Sequence, residues 1–129
     1  MGNHLSRRSQ NRIIRKMENR FALGLAKPLW NRNALQSDLE WLVTWKIKQA
    51  KSSEPMWCDG TKDLNLERTS KKTLDISALV TIGPESDVMT LNLANLKGTI
   101  TLSQNCKKLK AYYLKIQDGE TSYVLSKKT

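Results

Sequence analysis

Residues 73–82, TLDISALVTI, set Ile76, Ala78, Val80 and Ile82 at every second position. A period of two sends successive side chains to opposite faces, so this run is a strand with one face on a core and the other in water. Such a strand needs partners, because a two-stranded piece of sheet is marginal on its own. The rest of the chain can be read for them.

GPESD ends the run with a strong turn signal, and Met89, Leu91 and Leu93 fall in phase for a second strand over about 88–94. NLKG then places Gly98 where a three- or four-residue hairpin wants a positive φ, and Ile100 and Leu102 continue the pairing beyond it. A strand over 109–116, the turn DGET and the segment SYVLSKK complete the series, with the last as an edge strand whose terminal lysines discourage further pairing. Upstream, Leu39, Trp41, Val43, Trp45 and Ile47 alternate from Asp38 onward and predict another strand, with Trp41 and Trp45 facing the core. AKSSEPMWCDGTKD reads as a long connection, after which Leu64 and Leu66 begin a short strand. Five or six strands joined mostly by tight turns predict a mainly β fold, a small antiparallel β-sandwich or barrel.

The first residues differ from this body. Over 6–26, Ile13, Ile14, Met17, Phe21 and Leu25 recur at helical spacings, with Arg8, Arg12, Arg15, Lys16 and Asn19 opposite them. Ser6 suits the N-cap and Pro28 the stop. The apolar stripe of such a helix either inserts into a membrane surface or packs on the body and leaves the charges in water. Residues 1–33 hold eight basic side chains and one acid, Glu18, for a formal +7, whereas the remaining 96 residues supply +3 of the total +10. At 129 residues the chain has room for one core, so the expected organisation is a basic arm over 1–33 and a single β-rich domain over 34–129.

That charge suits an anionic partner, phospholipid or nucleic acid. Cys58 and Cys106 lie far apart without CxxC spacing, which indicates reduced thiols and neither a disulfide framework nor a zinc site. No apolar run reaches the roughly 18 residues of a membrane-spanning helix, and the apolar stretch FALGLAKPLW comes too late and too interrupted for a secretory signal. Catalysis is not expected. The one histidine, His4, stands near the terminus, no phosphate-cradling glycine motif occurs, and Asp38, Glu54, Asp63, Glu67 and Asp87 are scattered singly. No cofactor and no small-molecule substrate are expected either.

Gly2 would offer the free amine that N-myristoylation requires once Met1 is removed, and Ser6 stands at the hydroxyl position of M-G-x-x-x-[ST]. A single acyl chain holds a protein on a membrane only marginally, at a partition constant near 10⁴ M⁻¹, so a second signal is needed. Arg7, Arg8, Arg12, Arg15, Lys16 and Arg20 provide it. MGNHLSRR and the basic helix after it resemble the start of short N-myristoylated matrix and accessory proteins of eukaryotic viruses, over about the first twenty residues. The resemblance implies covalent myristate on Gly2 and lipid-facing charges at Arg7, Arg8, Arg12, Arg15 and Lys16. It also implies the cytoplasmic face of a host membrane or a virion as location, with RNA or nucleoprotein and a second copy of the chain as further partners. Retroviral matrix domains are helical throughout, and the strands here argue against that branch.

A competing reading makes RRSQNRIIRKMENR an arginine-rich arm for RNA or a nuclear targeting signal, without lipid. The lysine pairs 71–72, 107–108 and 127–128 would extend its patch, and Trp41, Trp45, Trp57, Tyr112 and Tyr113 are candidate stacking platforms. Tyr112 and Tyr113 must point to opposite faces of their strand, so one of them is exposed. In a third reading the β body is an interaction module that the arm merely positions.

Overall fold

The computed structural model describes residues 6–49 and 55–127. Two helices, α1 (Arg7–Ala26) and α2 (Arg32–Gln49), precede five strands, β1 (Met56–Arg68), β2 (Thr73–Pro84), β3 (Asn92–Leu102), β4 (Leu109–Asp118) and β5 (Thr121–Lys127). A single 3₁₀ turn, Val88–Thr90, lies between β2 and β3.

The strands form one antiparallel sheet in the order β1-β2-β3-β4-β5. Leu74, Ile76, Ala78, Val80 and Ile82 of β2 are buried in strict alternation. Across the ladder Leu74 faces Ile100, Ala78 faces Leu96, and Leu114 of β4 faces Leu125 of β5, so every strand gives the same side of the sheet an apolar row. Both helices pack on that side, and Phe21, Ala22, Leu25, Leu35, Leu39 and Ile47 share one buried cluster with it. Among the described residues no α-helix and no second sheet packs on the other face. β1 and β5 remain edges among the described residues, so the expected sandwich or barrel gives way to an open sheet backed by a helical pair.

The strand expected from Asp38 is instead the body of α2. Leu35, Leu39, Leu42, Val43 and Ile47 are its buried apolar set, on one helical face, and Leu42, on the polar phase of a strand reading, is only 1 % exposed. Trp41 and Trp45, expected in the core, lie one helical turn apart at its half-buried margin with ring centroids 5.3 Å from each other. Asn31 starts the helix by accepting from the Ala34 amide at 3.2 Å.

Most of the expected connection before Leu64 is β1, bulged between Cys58 and Gly60 and again between Lys62 and Asn65. The expected strand over 88–94 starts late, since Val88–Thr90 is 3₁₀, and no hairpin forms at Gly98. Gly98 lies inside β3 opposite Leu114, where a Cβ would overlap the Tyr113 carbonyl oxygen and fall 2.8 Å from Leu114 Cα. Close approach of two backbones, not a turn, is what requires glycine there.

Candidate functional site

Ser6 caps α1: its Oγ accepts from the Ser9 amide at 3.1 Å, and its carbonyl accepts from Gln10 at 2.9 Å. From there the apolar stripe turns inward. Ile14, Phe21, Ala22 and Leu25 are buried, Ile13 and Met17 are half-buried, and the stripe is therefore spent on the body instead of being left for acyl chains.

All six candidate basic residues of α1, Arg7, Arg8, Arg12, Arg15, Lys16 and Arg20, are exposed. Four of them, Arg7, Arg8, Arg12 and Arg15, line one open concavity with Asn11. Arg20 stands apart from that group because its guanidinium is paired with Asp38 of α2. Gly2 and His4 lie outside the described residues.

Glu18, the one acid of this region, is 3 % exposed and faces the sheet. The Tyr112 hydroxyl donates to its Oε2 at 2.8 Å and Lys127 Nζ to its Oε1 at 3.1 Å. Burial of Tyr112, followed by the nearby Glu18 charge and the hydrogen bond to it, pushes the phenol far above its ordinary range. With Glu18 withdrawn and compensated, every exposed charge on α1 is positive.

For the helix by itself that is a poor arrangement. The pairs Arg8–Arg12 and Arg12–Lys16 repel at i,i+4, and Arg7 and Arg8 occupy a first turn that contains no acid, at the positive end of the macrodipole. Each such feature costs a few tenths of a kcal/mol, and an anionic partner relieves all of them.

The aromatic and lysine candidates divide. Tyr112 is buried and Tyr113 exposed, as the alternation of β4 requires. Lys71, Lys72, Lys107 and Lys108 are exposed in the β1–β2 and β3–β4 connections, Lys127 is committed to Glu18, and Lys128 lies outside the described residues. Trp57 is half-buried in β1. Cys58 is buried in β1, where desolvation pushes its thiol up to about 11, so thiolate chemistry at neutral pH is suppressed. Among the described residues no three His, Cys, Asp or Glu side chains gather where they would hold a metal ion, and no helix is long and apolar enough to cross a membrane.

The buried pairings Glu18–Tyr112 and Glu18–Lys127 were not among the sequence candidates; the signal for them was a lone acid at a position on the apolar side of α1. Comparison with protein families, with curated proteins and with solved structures finds no match.

Proposed function

We propose that this is a non-enzymatic peripheral membrane protein of the viral matrix or accessory type. Myristate on Gly2 and the basic face of α1 hold it on anionic lipid at the cytoplasmic side of a host membrane. The observation that carries this reading is the wholly positive exposed surface of α1, placed directly behind an N-terminal acylation motif.

The magnitudes suit reversible but firm attachment. Myristate alone gives a partition constant near 10⁴ M⁻¹. Arg7, Arg8, Arg12, Arg15 and Lys16 each add about 1 kcal/mol near anionic lipid before screening, and half of that total strengthens binding about a hundredfold. The apolar stripe has no part in this scheme, because it is buried. RNA would compete for the same arginines, and an RNA-binding role without lipid is the alternative that the test must separate.

The deciding experiment is the intact mass of protein made in eukaryotic cells, together with fractionation of wild type and Gly2→Ala. Loss of Met1, a myristoyl adduct and release of Gly2→Ala into the soluble fraction are expected. An unmodified mass with unchanged fractionation rejects acylation, and RNA affinity that falls steeply with salt and with Arg12→Gln and Arg15→Gln then favours the alternative.

A further inference from the structure

The strand connections at the two ends of the sheet carry opposite charge. Antiparallel order places the β1–β2 and β3–β4 connections at one end, where the Leu102 amide donates to the Lys72 carbonyl at 2.7 Å. The last turn of α1 is tied to the same end. The Arg68 guanidinium donates to the Leu25 carbonyl at 2.9 Å and to the Lys71 carbonyl at 2.7 Å, holding both within its own span. Lys27 and Arg32 flank the α1–α2 loop at this end, Lys71 and Lys72 are tied to it through Arg68, and Lys107 and Lys108 lie in the connection beside Lys71 and Lys72, all exposed. At the opposite end Glu85 and Asp87 follow β2, with Lys48 of α2 3.7 Å from Glu85, and Asp118 and Glu120 form the β4–β5 turn.

Each end also presents a large apolar side chain to water: Leu29, 89 % exposed, among the bases, and Met89, 88 % exposed, among the acids. Met89 stands beside exposed Val88, but the acids around that pair repel an anionic surface. Leu29 has company. Trp30 beside it is pinned by its Nε1, which donates to the Leu25 carbonyl at 2.8 Å, so the loop is fixed with Leu29 at its tip. Leu23, also exposed, continues the outward row Arg12, Lys16, Asn19 along α1 toward Lys27. Leucine and tryptophan ringed by lysine and arginine is the chemistry of the headgroup boundary.

We propose that the α1–α2 loop is a second lipid contact, in which Leu29 inserts at the headgroup–acyl boundary of an anionic bilayer while the surrounding lysines and arginines bind headgroup phosphates. The proposal rests on the membrane reading above and deepens it. The loop lies about 20 Å along α1 from Arg12 at 1.5 Å rise per residue, so the two contacts together fix how the protein sits, which one acylated tether does not.

The test uses the unmodified full-length chain with an environment-sensitive fluorophore at Leu29→Cys or, as control, Met89→Cys. Both are made in a Cys106→Ser background, since buried Cys58 resists labelling. Vesicles of phosphatidylcholine with and without phosphatidylserine are added at low salt, and sedimentation is followed alongside fluorescence. Sedimentation with phosphatidylserine vesicles, with a blue shift at position 29 and none at 89, is expected. Leu29→Ser should weaken that binding about ten- to a hundredfold, as loss of one buried leucine implies, at unchanged melting temperature. Sedimentation with an unshifted label at 29, or undiminished binding of Leu29→Ser, overturns insertion and leaves the acylated tether standing. No sedimentation at all overturns the second contact, whereas the acyl reading falls only with an unmodified mass and unchanged fractionation of Gly2→Ala.

Discussion

The Tyr112 hydroxyl donates to Glu18 Oε2 at 2.8 Å across 94 residues of chain, with both groups buried. This bond and the one from Lys127 to Oε1 let a carboxylate sit under α1. Removing one partner should therefore cost more than an ordinary hydrogen bond. We expect Tyr112→Phe to lose about 1–3 kcal/mol, the penalty of an unsatisfied buried acceptor. Lys127→Ala should lose at least as much, because it leaves the Glu18 carboxylate buried without its cation. Urea denaturation at constant m-value measures both, and a negligible loss in either variant would contradict the picture.

Arg20 and Arg12 look alike in sequence and should behave differently. Arg20→Gln strips a buried carboxylate, Asp38, of its cation. About 1–3 kcal/mol is expected, below the full penalty for a broken buried pair because the arginine side chain is 62 % exposed. Arg12→Gln should leave stability unchanged or slightly raised and reduce only anion binding. Melting curves beside vesicle sedimentation separate the two.

Alkaline pH should weaken the fold in a defined window. The Cys58 thiol ionises near 9 when unfolded and is pushed up to about 11 by burial in the fold. Between those values the folded chain keeps a proton that the unfolded chain has lost, so stability is complete below pH 9 and drains as pH rises to 11. The slope from this one group is about 1.4 kcal/mol per pH unit. Tyr112, also shifted upward, adds a second decline that begins above its ordinary value of 10. Cys58→Ala lowers stability at pH 8 through lost packing but should flatten the portion between 9 and 10 and leave the Tyr112 decline above it, a difference visible in paired denaturation series.

Gly98→Ala should be severe, and Gly60→Ala should not. A Cβ at Gly98 meets backbone of β4, which cannot swing aside, and overpacking of this kind costs about 1–3 kcal/mol or more. Nothing lies within 4 Å of a Cβ at Gly60. Comparable melting temperatures for the two variants would contradict the close approach of β3 and β4.

Arg68→Lys should not rescue Arg68→Ala. One guanidinium reaches two carbonyls in different elements, a geometry that an ammonium does not reproduce. Faster amide exchange over residues 26–31 is expected in both variants, at a stability loss of about 1–3 kcal/mol.

β2, β4 and β5 could be read from sequence because one face of the sheet is buried and the other wet, which makes their alternation clean. β1 could not. Its two bulges shift the phase, and Asp59, Gly60 and Asp63, the last at φ 54°, carry the composition of a turn. The period of α2 is ambiguous because Leu35, Leu39, Val43 and Ile47 fit both two and four, and among its buried apolar residues only Leu42, on the opposite phase, distinguishes them. At the site, the basic residues of α1 were visible as composition. Which of them are free was not, since the partners of Glu18 and Arg20 come from β4, β5 and α2, and no local pattern announces them.

The Glu18 contacts also impose an order of events during synthesis. Tyr112 and Lys127 follow Glu18 by 94 and 109 residues, and at 5–20 residues per second the ribosome needs roughly 5–20 s to deliver them. Until then α1 has no sheet to dock on. Its amino end leaves the ribosome first and stays accessible throughout that interval, so any enzyme that modifies the nascent N-terminus acts on a helix whose folded partners do not yet exist.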